Sequence, residues 1–265
     1  MQRNNYKEIS LENIMGKRGQ LTIFVIVALV IVAVVIAFLI YRNTGVVSIE
    51  SSSPQSYLKA CIEPSVNEAV EKLSKQGGYR NPEAFILFND TKVPYHCYTS
   101  EYYKTCMIQQ PNLKSSFEKE LSTSIEMDLK DCAGKLKEEY ERTGYDVRAG
   151  SISSVVSLSP GTIEIKYDYP VTITKEVSQT YKGFNVDIES EMYDLLLLST
   201  SILDFESTYG DSETTSYIQY YPDIKIEKSK LSDGSKIYRI SNVVSKESYQ
   251  FATRSLAWPS GYTGT

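Results

Sequence analysis

A run of apolar positions from Leu21 to Tyr41 dominates the hydrophobic pattern of the chain and contains no charged residue. Wound as a helix, these roughly 21 residues would extend about 31 Å, which matches the hydrocarbon core of a bilayer. The run is too long for a secretory signal, and no small-residue cleavage site follows it. We therefore predict a single transmembrane helix over 21–41.

Basic residues are concentrated before this helix. Lys17 and Arg18 lie close to its start, whereas Arg42 is the only basic residue immediately after it. The positive-inside rule then places the tail 1–20 in the cytoplasm and the chain from Arg42 onward outside the cell membrane. This orientation makes the lipid bilayer the first expected partner.

The charges divide in the same way. The tail 1–20 holds four of the 28 Lys and Arg residues and two of the 33 Asp and Glu residues, so the remainder has a net charge of −7. An acidic domain is unsuited to nucleic acid, whose phosphates require clustered positive charge. We therefore expect no nucleic-acid partner.

Beyond the membrane, the pattern predicts a stalk and then a helical part. Residues 42–55 are rich in small polar residues, which is typical of a flexible stalk. Residues 56–145 contain the four cysteines and two helical patterns. The first pattern starts near Tyr57, and Pro64 within it predicts a kink or the start of a new helix. The second covers 113–142, where apolar residues recur every four positions.

Alternation of apolar and polar residues predicts that the remaining chain, 146–265, is rich in β-strands. Hairpins are expected over 154–167 and 224–240, and another over 85–98 within the helical part. The apolar segment 192–205 predicts a helix packed on a sheet. The strands expected outside the hairpins are 171–174, 181–188 and 249–256. These elements together predict an α+β fold with an antiparallel, β-rich extracytoplasmic domain.

All four cysteines lie beyond the predicted membrane helix, which indicates disulfides in an oxidising compartment. Three pairings are open. We favour Cys97–Cys106, which closes a short tyrosine-rich loop, and Cys61–Cys132, which would clamp two helices. A structural zinc site is the rival interpretation, but the sequence has no Cys-x-x-Cys pair. We expect neither a metal nor a cofactor.

Tyrosine is the most frequent aromatic residue, with 21 copies against 8 of Phe and one of Trp. Two clusters are candidate binding surfaces, because tyrosine combines a large apolar contact area with a polar tip. The alternative is an ordinary half-buried strand surface. The first cluster comprises Tyr95, Tyr98, Tyr102 and Tyr103, and the second comprises Tyr217, Tyr220 and Tyr221.

The tripeptide Asn89-Asp90-Thr91 is an N-glycosylation sequon. It falls on the predicted turn of the 85–98 hairpin, where an acceptor side chain would be exposed. Asn89 is therefore a candidate glycosylation site.

The sequence offers little for catalysis. His96 is the only histidine, and no nucleophile motif accompanies it. Asp187, Glu189 and Glu191 alternate along one strand and could hold calcium, although a solvated face leading into a helix N-terminus is the simpler interpretation. We predict a non-enzymatic protein without a catalytic or metal site.

The segment Lys17-Arg18-Gly19-Gln20, followed by the apolar run, resembles the class III signal of archaeal type IV pilin precursors. The resemblance implies cleavage between Gly19 and Gln20, after which the apolar helix would pack in a filament core. Phe24 stands where many pilins carry an acidic residue, and the stalk 42–55 interrupts the helix. We therefore expect the anchor to be retained.

A second resemblance runs along the whole chain, to uncharacterised membrane-anchored proteins of small-genome archaea. It is carried by Gly19-Gln20-Leu21-Thr22-Ile23-Phe24, Tyr57-Leu58-Lys59-Ala60-Cys61, Gln76-Gly77-Gly78-Tyr79, Cys132 and Tyr169-Pro170-Val171-Thr172-Ile173. This resemblance supports the pairing of Cys61 with Cys132 and implies no activity.

These features predict a membrane-anchored archaeal cell-surface protein that mediates assembly or adhesion. Its expected partners are further copies of itself or other proteins of the cell envelope. A pilin-like filament subunit processed after Gly19 and an extracytoplasmic ligand-binding domain are the alternatives.

Overall fold

The computed structural model describes residues 26–36 and 53–255. The chain divides into two compact units, Met1–Ser48 and Ile49–Thr265. In the first unit, residues 26–36 are helical and their side chains are exposed. Within the described ranges, no helix has both the length and the apolar character needed to cross a membrane.

Several sequence predictions fall outside these ranges. The tail 1–20 with Gly19 and Gln20, both ends of the span 21–41 and most of the stalk 42–55 lie outside the described residues.

In its described part, the second unit contains four helices and ten strands. The helices are α1 (Pro54–Lys75), α2 (Leu113–Arg142), α3 (Met192–Tyr209) and α4 (Thr215–Tyr220). The strands are β1 (Phe85–Phe88), β2 (Thr91–Tyr98), β3 (Met107–Ile108), β4 (Asp146–Ala149), β5 (Ser153–Ser159), β6 (Thr162–Thr174), β7 (Ser178–Glu189), β8 (Ile224–Lys230), β9 (Ser235–Asn242) and β10 (Ser248–Arg254). This composition confirms the predicted α+β class.

Six of the strands form a mixed sheet in the order β1-β2-β10-β9-β8, with β3 beside β2. Neighbouring strands are antiparallel except β2 and β10, which pair in parallel. Because β2 belongs to the predicted helical part 56–145 and β10 to 146–265, this pairing joins the two parts. They share one hydrophobic core.

The other four strands form an antiparallel sheet around the long strand β6. Strands β4 and β5 pair with different halves of β6, and β7 pairs along its length. The register shifts between Asp168 and Val171, so Pro170 lies at a bulge. At a bulge the strand does not need the backbone N–H that proline lacks. The predicted separate strand 171–174 is instead the second half of β6. At the bulge, a Cβ on Gly183 would collide with the carbonyl oxygen of Tyr167.

Helix α1 begins inside the predicted stalk. Ser53 is its N-cap, with the Oγ accepting a hydrogen bond from the Ser56 backbone N–H at 3.2 Å. Pro54 then occupies the first turn, where its missing N–H has no helical partner to lose. The helix continues through Pro64 as a single element. The prediction that a new helix starts at Pro64, which was the alternative to a kink, is therefore wrong.

Helix α2 has the predicted bounds and packs against α1. The Cys61–Cys132 disulfide joins the two helices, with the Cα atoms 5.9 Å apart. The Cys97–Cys106 disulfide joins β2 to the residue before β3, with the Cα atoms 5.3 Å apart. Both favoured pairings are confirmed, and no cysteine of the four is left free for the rival zinc site.

Candidate binding surface

The second tyrosine cluster lies beside helix α3, which is apolar on most of its sides. The helix packs against β9 and β10 and buries Leu195 and Ile202. Away from this core, Phe205 is 44% exposed and Tyr209 is 68% exposed. Their ring centroids lie 5.7 Å apart. Helix α3 therefore has an aromatic outer face.

The short helix α4 brings the predicted tyrosines to this face. The hydroxyl of Tyr217 lies 2.7 Å from the Oγ of Ser201 on α3, within hydrogen-bond distance. Tyr220 is 80% exposed, and Tyr221, directly after the helix, is 49% exposed. The Tyr217 contact thus fixes α4 to α3, while the other two rings face solvent.

An open cavity of about 530 Å³ lies between these elements, and we name it the aromatic groove. Its lining residues are Ser201, Phe205, Glu213, Ser216, Tyr217, Tyr220 and Tyr221. The groove contains all three tyrosines of the second predicted cluster. Phe205 adds a fourth ring that the sequence reasoning did not select. Its volume lies within the range of small ligand sites.

Glu213 gives the aromatic groove its charge. Its Oε1 accepts a hydrogen bond from the Thr215 backbone N–H at 2.8 Å. The pKa of Glu213 is lowered because the side chain and the backbone N–H of Thr215 both hydrogen-bond its carboxylate. The carboxylate is therefore ionised at neutral pH, and the described lining of the groove contains no Lys or Arg.

The first tyrosine cluster has a different arrangement. Tyr95 is partly buried, and its hydroxyl lies 2.8 Å from the Oγ of Ser235. Its ring meets Tyr98 edge to face, with centroids 5.1 Å apart. Tyr102 and Tyr103 lie 75% and 55% exposed in the loop closed by the Cys97–Cys106 disulfide. The structure thus places these four residues in and beside the loop closed by one disulfide.

Asn89 lies at the turn between β1 and β2, as the sequence predicts. Asn89 and Asp90 have φ values of 47° and 60°, the left-handed backbone that a two-residue hairpin turn requires. Both side chains are exposed. Asn89 is thus sterically open to a modifying enzyme.

A larger cavity of about 990 Å³ lies among α1, the β7–α3 junction and the β9–β10 loop. Its central carboxylate, Glu247, accepts hydrogen bonds from the Ser190 Oγ at 2.7 Å and the Glu191 N–H at 2.5 Å. These contacts give the backbone N–H at the N-terminus of α3 a hydrogen-bond acceptor within the chain. We therefore interpret this cavity as a structural junction.

The alternating carboxylates do not form a metal site. Asp187 and Glu189 lie exposed on β7, and Glu191 is the N-cap of α3. Across the described residues, no group of three or more His, Cys, Asp or Glu side chains could hold a metal ion.

His96 is completely buried rather than exposed in a site. Its Nε2 lies 2.9 Å from the hydroxyl of Tyr249, which donates to the Gly77 carbonyl at 2.8 Å. Since that hydroxyl gives its hydrogen to Gly77, Nε2–H is the donor to Tyr249. Burial lowers the pKa of His96 to about 3, although a hydrogen bond with the backbone of Gly77 has a smaller, opposite effect on this pKa. The imidazole is neutral and structural.

A buried polar cluster under the end of α3 was missed by the sequence reasoning. Glu206 is fully buried and forms an ion pair with Lys236, with Nζ 2.7 Å from Oε2. Tyr238 donates to the same carboxylate, and the Thr253 hydroxyl lies 3.1 Å from Oε2. Lys236 also donates to the Gly210 carbonyl at 2.6 Å. This cluster ties the end of α3 to the mixed sheet.

Asp211 forms the solvent-facing edge of the same cluster. It contacts three lysines, Lys228, Lys230 and Lys236, with N–O distances of 2.5, 3.1 and 3.2 Å. Partial burial alone would raise the pKa of Asp211, but the hydrogen bonds from Lys228 and Lys230 and the charge of Lys236 hold it well below its ordinary value.

No protein family, no curated protein and no solved structure matches this chain.

Proposed function

We propose that this chain is a membrane-anchored, archaeal cell-surface protein that acts in assembly or adhesion and is not an enzyme. The anchor is the apolar segment 21–41, with the tail 1–20 in the cytoplasm and the second compact unit outside. The partners are other copies or other proteins of the cell envelope, and contact is made through the aromatic groove.

The observation that carries this proposal is the exposure of the aromatic rings of the groove. Tyr220 is 80% exposed to solvent, Tyr221 is 49% exposed and Phe205 is 44% exposed. Rings of this size gain free energy when a partner removes them from water, and tyrosine is enriched where interfaces bind most tightly. These rings line one cavity, and exposed apolar side chains that are grouped mark interaction sites more often than side chains scattered singly.

The two disulfides support an extracytoplasmic location. Disulfides persist in oxidising compartments and are rare in the cytosol. All four cysteines belong to the second compact unit, and both bonds form within it.

The environment of His96 supports a non-enzymatic role. It is the only imidazole of the chain. A general base must reach its substrate and have a pKa near the working pH. His96 is 0% exposed and its pKa is lowered to about 3 by burial, so it meets neither condition.

Site-specific photo-cross-linking tests the proposal. A photoreactive amino acid in place of Tyr220 should cross-link to an envelope protein or to a second copy when intact cells are irradiated. Met127 on α2, which is 75% exposed, provides the matched control position. Equal yields from positions 220 and 127, or none from either, would contradict the assembly role of the groove.

A pilin-like filament subunit is the second candidate, because Lys17-Arg18-Gly19-Gln20 resembles a class III processing site. The amino-terminal residue of the mature protein separates the two forms. A start at Met1 or Gln2 supports the retained anchor, since Lys17 and Arg18 then stay at the cytoplasmic interface. A start at Gln20, in protein sheared from cells as fibres, supports the filament.

A further inference from the structure

The aromatic groove combines aromatic rings with one negative charge among its lining residues. Glu213 is the only charged residue among its described lining residues. Its carboxylate is hydrogen-bonded by Thr215. The charge of Lys228, whose direct ion-pair partner is Asp211, makes a smaller contribution to its lowered pKa. An anionic ligand would therefore be repelled, and a cationic one attracted.

The rings strengthen this preference. The π face of tyrosine or phenylalanine attracts a cation, and the attraction increases as the cation loses water. Tyr220, Tyr221 and Phe205 supply partly exposed rings around one cavity, and the contact of Tyr217 with Ser201 fixes the helix that carries them. A cavity lined by aromatic rings and a single carboxylate has the chemistry that suits a positively charged side chain.

We propose that the aromatic groove accepts an arginine or lysine side chain presented by a partner protein, with the rings contacting the cation and Glu213 neutralising it. This inference rests on the proposed function and specifies the chemistry of its partner. The net charge of −7 outside the tail 1–20 would attract the same basic partner over longer distances.

Short peptides test the proposal directly. The first probe is an acetylated and amidated glycine–serine hexapeptide with one central arginine, and the second carries uncharged citrulline at that position. The third probe is a neutral glucose tetrasaccharide. Binding to the full chain is measured by ligand-observed NMR titration in a polyoxyethylene detergent, which offers neither a sugar nor a cationic head group.

The arginine peptide should bind several-fold more tightly than the citrulline peptide, and added salt should reduce the difference. Tyr220→Ala should weaken binding of the arginine peptide by about two- to five-fold, the effect of one exposed cation–π contact. Glu213→Gln should remove most of the preference for arginine over citrulline. Met127→Ala, at an equally exposed position on α2, should change neither value.

Three results would overturn the inference. These are equal binding of the two peptides, binding of the tetrasaccharide alone, or no binding of either peptide up to its solubility limit. In each case the cross-linking test at position 220 can still succeed, so failure of this chemistry is distinguishable from failure of the assembly role. Unchanged circular dichroism of the variants excludes misfolding as the cause of lost binding.

Discussion

Helix α3 has an inner face that buries a charged side chain and an outer face that exposes aromatic side chains to solvent. Its inner face places the charged Glu206 in the buried interior, where Lys236 forms an ion pair with it and Tyr238 donates a hydrogen bond to it. Its outer face places the apolar rings of Phe205 and Tyr209 in water. A buried charge and an exposed ring are both unfavourable on their own.

The difference lies in what compensates each face. The inner charge is compensated within the chain, by an ion pair and by hydrogen bonds that join α3 to the mixed sheet. The outer rings are only partly covered within the described chain. We infer that the inner face serves stability and the outer face serves recognition, and the following predictions test this separation.

The largest expected effect comes from the inner face. Lys236→Met would leave Glu206 buried without its cation, which should reduce the free energy of unfolding by about 3–5 kcal/mol. Urea denaturation followed by circular dichroism measures the loss. The peptide binding of the aromatic groove should remain intact at low denaturant.

A second variant shows whether the loss arises from the unpaired charge. In the double variant Lys236→Met with Glu206→Gln, no charge is left unpaired. The amide oxygen can still accept the hydrogen bond from Tyr238, and the amide NH2 can donate to the Thr253 hydroxyl. It should therefore be more stable than Lys236→Met alone. Equal or lower stability of the double variant would show that the ion pair is not the reason for the buried glutamate.

A smaller effect is expected from His96, a buried group that stays neutral instead of pairing. Its pKa is about 3 in the folded chain and ordinarily about 6.5, so the unfolded chain binds more protons below pH 6.5. The contribution of neutral His96 to the free energy of unfolding is therefore fully present above pH 6.5, and it is lost as the pH falls toward 3. The loss should reach about 2 kcal/mol at pH 5.

The interval from pH 6.5 to 5 favours detection of this group, because the chain has no other histidine and the ordinary pKa values of Asp and Glu lie below it. Denaturation midpoints of the parent chain and of His96→Gln should be compared across that interval. The variant should lose the slope even if it is less stable at every pH. A slope that persists in His96→Gln would contradict this assignment.

Local patterns predicted most elements of the fold because their signals are local. The four-residue spacing from Leu113 to Leu129 gave the bounds of α2, and the turn at Asn89 gave the β1–β2 hairpin. The parallel pairing of β2 with β10 was missed, since it joins Tyr95 to Ala252 and no periodicity records so distant a contact. Helix α4 was missed because six residues are too few to show a helical period.

The site was predicted in part for the same reason. The tyrosines of α4 are close in sequence and could be recognised as a cluster, whereas Phe205 joins them only through the packing of α4 on α3. Glu206 carried an available signal. It continues the buried series Leu195, Ser199 and Ile202 at helical spacing, so an acid at that position predicts a buried cation.

The smallest expected effect on stability comes from the aromatic groove, which α4 forms together with the outer face of α3. Tyr220 is 80% exposed and therefore makes few contacts that folding must preserve. Tyr220→Ala should change the free energy of unfolding by no more than about 0.5 kcal/mol, as is usual for surface substitutions. Met127→Ala on α2, from a side chain that is 75% exposed, should have an equally small effect.

The two variants should differ only in recognition, because Tyr220→Ala alone removes a ring from the aromatic groove and should weaken binding of the arginine peptide. Urea denaturation and the peptide titration on the same samples measure both quantities. If Tyr220→Ala instead lowers stability by as much as Lys236→Met, the rings of the aromatic groove serve folding, and the separation between the buried face of α3 and the groove is wrong.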